Sequence, residues 1–380
     1  MTYHVTIFEA FDDAKSSWQV LEQHGDGYAF QTWAWSRNWF ELVGKNRGIR
    51  PCIALVDDET GPLMLLPLAI EPRRLHNALV WLGDELADYH GPVLGKGWAA
   101  SDAARDFSAT WRDVCTALPS HDLVSFEKQP ATIGEQPNPF VHLAALPTRP
   151  HPAQAYFATL GESLDEFLRS RRKARSLQSD RRKERKLAEH GRLEFVVAET
   201  PAQIAPLLKA MIEQKTRSYA ALGVANLFDE PGCVEFITKM TVDHPDAVRL
   251  FGLTLDDEPI ATLWGPVSRG RYYHLFPTYA HNELMTYSPG NILLKHAFGW
   301  CIDNGINTYD FTVGDEDYKQ HWCQHQLRLF DADLGVTLRC KAFALLNRTR
   351  TGLKRFVKES PALFAVAKRA RSLLGKIKTT

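Results

Sequence analysis

The chain has 380 residues, of which 44% are hydrophobic and 24% charged, with 45 basic and 45 acidic side chains. These values are typical of a globular protein and exclude a disordered chain, a collagen or a coiled-coil rod as the main architecture. No apolar run approaches the roughly 20 residues of a membrane span, and the first residues do not resemble a secretory signal. Since the six cysteines are scattered without a CxxC pair, we expect reduced thiols in a cytoplasmic protein.

The first half of the sequence alternates between strand-like and helix-like segments. In chain order we expect a strand at 5–8, a helix through Trp35 and Trp39, hairpin strands at 52–56 and 63–70, a helix at 100–118 and a strand at 123–127. Six prolines lie between residues 129 and 153. Because proline lacks a backbone N–H group and has a fixed φ, this stretch is predicted to be an irregular connector.

The pattern of the second half predicts helices on both sides of a three-stranded meander, with further strands before and after it. The expected elements are a long basic helix at 164–190, a strand at 193–198, a helix at 202–219, meander strands at 249–255, 259–267 and 271–277, a helix at 291–304, a strand at 308–313 and a short helix at 318–324. This order favours an α/β chain with mixed sheets, and a sheet in the second half that splits at its middle.

Charge is distributed unevenly along the chain. Residues 169–192 carry a net charge of +8 and residues 341–380 carry +10, so the remainder carries −18. The first basic segment is charged nearly all round, which indicates either a solvated connecting helix or a holder of phosphate groups. The stretch 361–380 is a basic amphipathic helix by pattern, suited either to an anionic membrane surface or to docking on the protein itself.

A recognisable pattern spans residues 287–322. It consists of the segments 287–294, 305–311 and 314–319, followed by Trp322. This pattern resembles the CelD-type (BioF2-like) acyltransferases of the GNAT superfamily, which are related in build to the FemAB peptidyltransferases. Weaker similarities to the same family lie around Trp35, at 87–89 and in the arginine-rich helix.

The resemblance implies an organisation of tandem GNAT-like subdomains. The expected parts are a degenerate N-terminal subdomain at 1–153, a basic connecting helix at 154–192, a catalytic subdomain at 193–340 and a basic amphipathic tail at 341–380. The resemblance also implies transfer of an acyl group from acyl-coenzyme A to an amine or hydroxyl of a small-molecule or saccharide acceptor. The setting it implies is polysaccharide or cell-envelope metabolism, in the cytoplasm or at the periphery of the inner membrane.

One departure from the GNAT pattern keeps two alternatives open. Residues 282–290 lack the full glycine-rich loop that typically holds the cofactor pyrophosphate. A FemAB-like transferase that uses aminoacyl-tRNA is one alternative, and an inactive GNAT-like scaffold in an exopolysaccharide assembly is the other. No metal is expected, because His321, Cys323 and His325 have no second cluster with ligand spacing.

The stretch Ser288, Pro289, Gly290 and Asn291 is the predicted contact for the donor's phosphate region. Serine is a good N-cap and proline is favoured at the first helical position, so a helix is expected to begin here. A helix start exposes N–H groups and a partial positive charge that suit an anion. The alternative interpretation is an ordinary capped helix.

The candidate catalytic residues are Lys319, Tyr318, Asp310, Asp315 and His274. Lys319 would neutralise an oxyanion, and Tyr318 would protonate a leaving thiolate. Asp310 or Asp315 would accept a proton or orient Lys319, and His274 would act as a base or contact the substrate. A solvated acidic turn and a structural histidine are the alternatives.

Four further residues are candidates for substrate binding: Trp35, Asp88, Tyr89 and Trp322. Trp35 could belong to a platform for stacking a sugar, although tryptophans at helical spacing are commonly core residues. Asp88 and Tyr89 follow a predicted strand, where either turn chemistry or a substrate contact would explain them.

Overall fold

The computed structural model describes residues 3–342, and the predicted amphipathic helix at 361–380 lies outside this range. Within the described residues the chain divides into two units. The first contains residues 3–153, 231–236 and 327–342, and the second contains residues 154–230 and 237–326. The chain therefore returns to the first unit after it has completed the second.

The first 150 residues form short strands and helices. The helices are α1 (Phe11–His24), α2 (Trp33–Trp39), α3 (Asp102–Arg105) and α4 (Phe107–Ala117). The strands are β1 (His4–Phe8), β2 (Arg50–Pro51), β3 (Ile53–Asp58), β4 (Gly61–Leu66), β5 (Leu68–Arg73), β6 (His76–Trp81), β7 (Val93–Leu94), β8 (Leu123–Pro130), β9 (Thr132–Ile133), β10 (Gln136–Pro137) and β11 (Thr148–Pro150).

The rest of the described chain is richer in long elements. The helices are α5 (Leu164–Arg171), α6 (Ala174–Ala188), α7 (Pro201–Leu222), α8 (Cys233–Asp243), α9 (Pro289–Asp303) and α10 (Asp317–Trp322). The strands are β12 (Ala155–Thr159), β13 (Leu193–Val197), β14 (Val248–Leu255), β15 (Glu258–Ser268), β16 (Arg271–Tyr273), β17 (Phe276–Tyr279), β18 (Thr308–Val313), β19 (His325–Leu327) and β20 (Leu329–Gly335).

Three predicted elements of the first half are interrupted. The expected strand at 63–70 divides into β4 and β5 on either side of Pro67, which has no N–H group to give a sheet. The helix expected at 100–118 divides at Asp106, whose backbone leaves the helical region (φ −120°, ψ 67°). The helix through Trp35 ends at Trp39 and continues as a π-helical turn over Phe40–Gly44.

The basic segment forms two helices rather than the single one predicted over 164–190. Arg172 and Lys173 have extended backbone conformations between α5 and α6. The guanidinium of Arg172 lies 5.0 Å from the ring centroid of Trp322 and 3.5 Å from the carboxylate of Asp180. Because these contacts hold Arg172 against α10, helical propensity alone does not decide the conformation of this segment.

Strand order shows that the two units repeat one topology. The first unit has the order β1-β3-β4-β7 in one sheet and β5-β6-β8-β20-β11 in another, with β2 added beside β5. The second unit has β13-β14-β15-β17 and β15-β16-β18-β12-β19. In both units two strands run parallel, β6 with β8 and β16 with β18, with a helix between them in the sequence. Sequence similarity does not reveal this duplication, but topology does.

A β-bulge recurs at the same place in each unit. Glu127 and Lys128 of β8 face one residue of β20, Asp331, and Phe311 and Thr312 of β18 face one residue of β12. The second bulge residue is left-handed in both strands, with φ of 53° at Lys128 and 57° at Thr312. Such a bulge bends a strand and ends regular pairing, so both units bend their central strand at the same point.

The core of the second unit is aromatic and lies between α9 and the sheet. Phe298 on α9 is fully buried, and its ring contacts those of Phe167, Tyr309 and Trp322, with centroids 4.6–5.1 Å apart. These contacts fix α9 and α10 relative to β18. They therefore also fix the positions of the residues that begin those helices.

We expect Phe298→Ala to lower the free energy of unfolding by about 3–5 kcal/mol, because it removes buried ring surface and leaves a cavity. Urea denaturation followed by circular dichroism measures this change. Leu338→Ala is the control, since Leu338 is 83% exposed and its truncation should change stability by less than about 0.5 kcal/mol. Equal effects of the two substitutions would contradict the packing described for α9.

Candidate active site

The sheet of the second unit opens at His274. Up to Tyr273, strand β16 pairs with both β15 and β18, and the last contact is a 2.7 Å hydrogen bond from the His274 N–H to the Asp310 carbonyl. After His274 the chain continues as β17, which pairs with β15 instead. The predicted third meander strand, 271–277, is therefore two strands. This break separates β17 from β18.

A cavity of about 370 Å³ lies in the second unit beside this opening. Its volume is in the range of small-molecule sites, roughly 300–1,000 Å³. Strands β15 and β17, the start of α9 and helix α10 provide most of the wall. The lining residues are Arg172, Thr262, Leu263, His274, Pro277, Thr278, Tyr279, Met285, Ser288, Pro289, Gly290, Asn291, Leu293, Leu294, Tyr318 and Trp322.

All four residues predicted to contact the donor, Ser288 to Asn291, lie on the cavity wall at the start of α9. The expectation that Ser288 caps the helix with its hydroxyl is wrong. Its backbone is left-handed (φ 58°, ψ 57°), and its side chain makes no capping bond. Instead the Ser288 Oγ accepts a 2.9 Å hydrogen bond from the ammonium of Lys183 on α6. The first turn of α9 thus faces the cavity with a cation beside it.

Helix α6 is fixed to α9 by a second set of contacts. Glu184 accepts hydrogen bonds from Lys295 (3.2 Å) and from the ring of His296 (2.7 Å), both on α9. The hydrogen bond from His296 is the largest cause that lowers the pKa of Glu184, and Lys295 adds to it. At the end of α6, the His190 ring and the Tyr287 hydroxyl are 2.9 Å apart. The basic helix α6 is therefore docked on helix α9.

His274 is the one histidine on the cavity wall of the second unit. Its Nδ1 lies 2.8 Å from the hydroxyl of Tyr309. Burial lowers the pKa of His274 well below its usual range, and the positive charges of Lys319 and Lys215 lower it further. The imidazole is therefore neutral at physiological pH, which is the form that can accept a proton.

Tyr318 and Trp322 are brought to the same wall by one face of α10. Tyr318 is 38% exposed, but partial desolvation against the cavity wall and the nearby Glu316 carboxylate both raise the pKa of its phenol, which keeps its proton. Trp322 is buried among Phe167 and Phe298 and carries Arg172 on its face. Tyr318 therefore carries a phenolic proton that it can donate, whereas Trp322 forms an apolar part of the cavity wall.

Unlike its neighbour Tyr318, Lys319 does not reach the cavity. Its ammonium donates to the Val313 carbonyl (3.0 Å) and contacts the Glu316 carboxylate (2.9 Å), and only 3% of the residue is exposed. Lys319 is not one of the cavity-lining residues. The structure connects it to the site through its charge, which lowers the pKa of His274.

The carboxylates of Asp310 and Asp315 accept hydrogen bonds from backbone N–H groups and from neighbouring side chains. Asp310 is fully buried, where it accepts hydrogen bonds from Arg271 (2.7 Å) and from the N–H group of Thr312 (2.8 Å). Asp315 accepts hydrogen bonds from the N–H group of Gln154 and the hydroxyl of Tyr156, both at 3.3 Å. Neither aspartate is among the residues that line the cavity.

The remaining candidates, Trp35, Asp88 and Tyr89, belong to the first unit. Trp35 is 1% exposed and packs against Phe30 and Phe236. Tyr89 is fully buried against Tyr28 and Phe30, while Asp88 is half-buried. The two aromatic residues are therefore part of the hydrophobic core of that unit.

The metal-ligand spacing considered at the end of α10 does not form on one helix. Helix α10 ends at Trp322, and His325 lies on β19, where its ring stacks on Phe157. Within residues 3–342, no three histidine, cysteine or acidic side chains converge as a metal site. Over the same range, no helix combines the length and hydropathy required to cross a bilayer.

Three residues around the cavity are not singled out individually by the sequence pattern, although the same pattern makes the basic segment a candidate holder of phosphate: Arg172, Lys183 and Tyr309. The two basic residues lie in a segment with so many cations that composition cannot single them out. Tyr309 alternates with Phe311 in a buried strand, a pattern that predicts core packing rather than a histidine partner. Only the fold shows which of these side chains meet.

Comparisons with known proteins concern the family and the fold of the chain. Residues 171–320 match the family model of the acetyltransferase (GNAT) domain. No curated protein matches the chain.

Among solved structures, FemX has the same fold, with 12% identity and a TM-score of 0.59 over 87% of this chain and 97% of that chain. L-PGS from Bacillus licheniformis (11% identity, TM-score 0.50) covers 92% of this chain and 99% of its own. A conserved protein of unknown function from Bacteroides thetaiotaomicron (10%, TM-score 0.54) covers 87% and 100%. Residues 171–320 therefore resemble a GNAT acetyltransferase domain, and the chain shares the fold of these solved structures over most of its length.

Proposed function

We propose that this protein transfers an acyl group from acyl-coenzyme A to an amine or hydroxyl of a small-molecule or saccharide acceptor. The observation that carries the proposal is one cavity that joins a neutral histidine, a protonated tyrosine and a helix start. This cavity lies within the segment that matches the acetyltransferase domain.

The two ends of the cavity wall suit different parts of an acyl-coenzyme A molecule. The start of α9 carries a partial positive charge, which favours phosphate. Pro289 has no N–H group, and the N–H groups of Ser288 and Asn291 donate to Met285 and Ser288, so the helix charge rather than a row of N–H donors favours an anion here. Leu263, Pro277, Leu293 and Leu294 form an apolar wall that suits the uncharged arm and acyl group. No metal is required by this arrangement, since the charge is supplied by the chain itself.

Catalysis would proceed by direct attack of the acceptor on the thioester. The acceptor nitrogen or oxygen forms a bond to the carbonyl carbon while its proton passes to the neutral ring of His274. The carbon–sulfur bond then breaks, and the departing sulfur takes a hydrogen bond and a proton from Tyr318. Tyr309 holds the Nδ1 side of the imidazole, so Nε2 is the ring nitrogen we assign to the acceptor.

Lys319 and Asp310 would act as positioning residues in this scheme. The positive charge of Lys319 favours the neutral form of His274. Its ammonium also donates a hydrogen bond to the carbonyl of Val313, the last residue of β18. Asp310 holds Arg271 and the left-handed Thr312, and with them the bulge that opens the sheet. Asp315 lies in the loop after β18 and accepts hydrogen bonds from Gln154 and from Tyr156 on β12.

The first unit differs from the second at the corresponding helix start. Helix α4 occupies the place of α9 in the repeated topology, and its N-cap is Asp106, whose carboxylate accepts the N–H group of Ala109 at 3.0 Å. A negative charge at this position opposes phosphate binding. This supports the second unit as the one that binds the donor.

A second candidate function is transfer from aminoacyl-tRNA. The observation in its favour is the outward face of α6, where Arg181, Arg182, Arg185 and Lys186 are exposed. Such a face can contact a nucleic-acid backbone. A polysaccharide or cell-envelope setting remains part of the proposal for either donor.

We expect His274→Gln to lower kcat/KM for acetyl transfer by about 10²- to 10⁴-fold, because it removes the proton acceptor. The measurement is release of free coenzyme A from acetyl-coenzyme A in the presence of a panel of amine and saccharide acceptors. His321→Gln is the matched control, since His321 is exposed on α10 and does not line the cavity. Full activity of the His274 variant would refute its assigned role.

The protonation state of His274 can be measured without knowing the acceptor. Because its pKa is lowered, we expect the His274 ring to stay neutral across the pH range around 6.5 in which an ordinary histidine becomes charged. NMR of protein with ¹³C-labelled histidine shows this, with the signal assigned by its loss in His274→Gln.

Lys319→Met should raise the pKa of His274, because it removes a positive charge that opposes protonation. Its titration should therefore move to higher pH than in the original protein. Lys186→Met, which removes an exposed lysine, is the control and should leave the titration unchanged. A His274 signal that titrates near pH 6.5 in the original protein would contradict the neutral imidazole.

A further inference from the structure

The basic segment brings two cations to the cavity that the GNAT pattern does not account for. Arg172, between α5 and α6, lines the cavity, and Lys183 on α6 contacts the cavity-lining Ser288. Both lie between β12 and β13 in the sequence. They therefore lie outside the loop at 282–290 in which the glycine-rich signature is missing.

The contacts of Lys183 leave its charge uncompensated. Its ammonium donates to a neutral hydroxyl at 2.9 Å, and no carboxylate of residues 3–342 lies within 4 Å of it. Docking of α6 does not depend on this lysine, because the neighbouring Glu184 already pairs with Lys295 and His296 of α9. A half-buried ammonium beside a cavity is most stable when an anion binds there.

Arg172 is held in place but keeps part of its hydrogen-bonding capacity. One face of its guanidinium lies over Trp322, and its carboxylate partner Asp180 is 3.5 Å away. A guanidinium has five N–H donors in a fixed fork that matches phosphate. Arg172 lies on the cavity wall, in the extended segment between α5 and α6.

We propose that Lys183 and Arg172 bind the phosphate groups of the acyl donor, and so replace the missing glycine-rich loop. This inference rests on the proposed function, since it concerns the donor of that same cavity. It commits to coenzyme A as the source of the phosphates. It assigns a specific role to two of the eleven basic residues between 169 and 192.

The test is calorimetric titration of the full chain with coenzyme A and with pantetheine, which has no phosphate. Lys183→Met and Arg172→Met should each weaken coenzyme A binding by about tenfold or more, as expected for loss of a charge-assisted hydrogen bond. Neither change should alter binding of pantetheine, which shows that the cavity is intact. The matched controls are Lys209→Met on α7 and Arg175→Met on α6, since both residues are exposed and neither belongs to the face of α6 proposed for tRNA.

The outcomes separate this inference from the proposed function. If the original protein binds coenzyme A and the two variants bind it equally well, the role of Lys183 and Arg172 is overturned while the donor stands. If it binds an aminoacylated RNA minihelix instead, and the variants lose that binding, the donor is wrong but the phosphate role holds. Binding of neither donor by the original protein overturns both.

Discussion

The site depends on one buried carboxylate, that of Asp310. It accepts hydrogen bonds from Arg271 on β16 and from the N–H group of Thr312, which has a left-handed backbone. Removing this carboxylate would leave the half-buried guanidinium of Arg271 and the left-handed Thr312 without their partner. Because the bulge ends the parallel pairing of β16 with β18, β17 can follow β15 and the cavity can open beside His274. The carboxylate of Asp310 thus determines the backbone geometry beside the site, although Asp310 does not line the cavity.

The same device exists in the first unit, where Asp331 accepts the N–H group of the left-handed Lys128 and contacts Arg149 and His151. In both units an aspartate therefore accepts a hydrogen bond from the N–H group of a left-handed bulge residue. The charged side chain at the corresponding helix start differs between the units. In the second unit a lysine lies beside the start of the helix, and in the first unit an aspartate caps it. The two units thus share a strand order and a bulge, and they differ in charge at the corresponding helix start.

Much of the second half could be predicted because its pattern is local. Strand 308–313 has the predicted limits, since an apolar run is bounded there by Asn307 and Gly314. The break at Arg172 could not be predicted, because only Trp322, 150 residues later, explains it. The prediction placed Tyr318 and Lys319 together at the site, but successive helical residues point about 100° apart, and only Tyr318 reaches the cavity. Side-chain direction at a helix start depends on how that helix docks, which is a property of the whole fold.

The most direct test of this account is a crystal structure of the full chain bound to acetyl-coenzyme A. We expect the phosphates beside Lys183 and the first turn of α9, and the thioester carbonyl between His274 and Tyr318. A thioester bound away from His274, or a donor bound at the start of α4 in the first unit, would contradict the assignment of the active site.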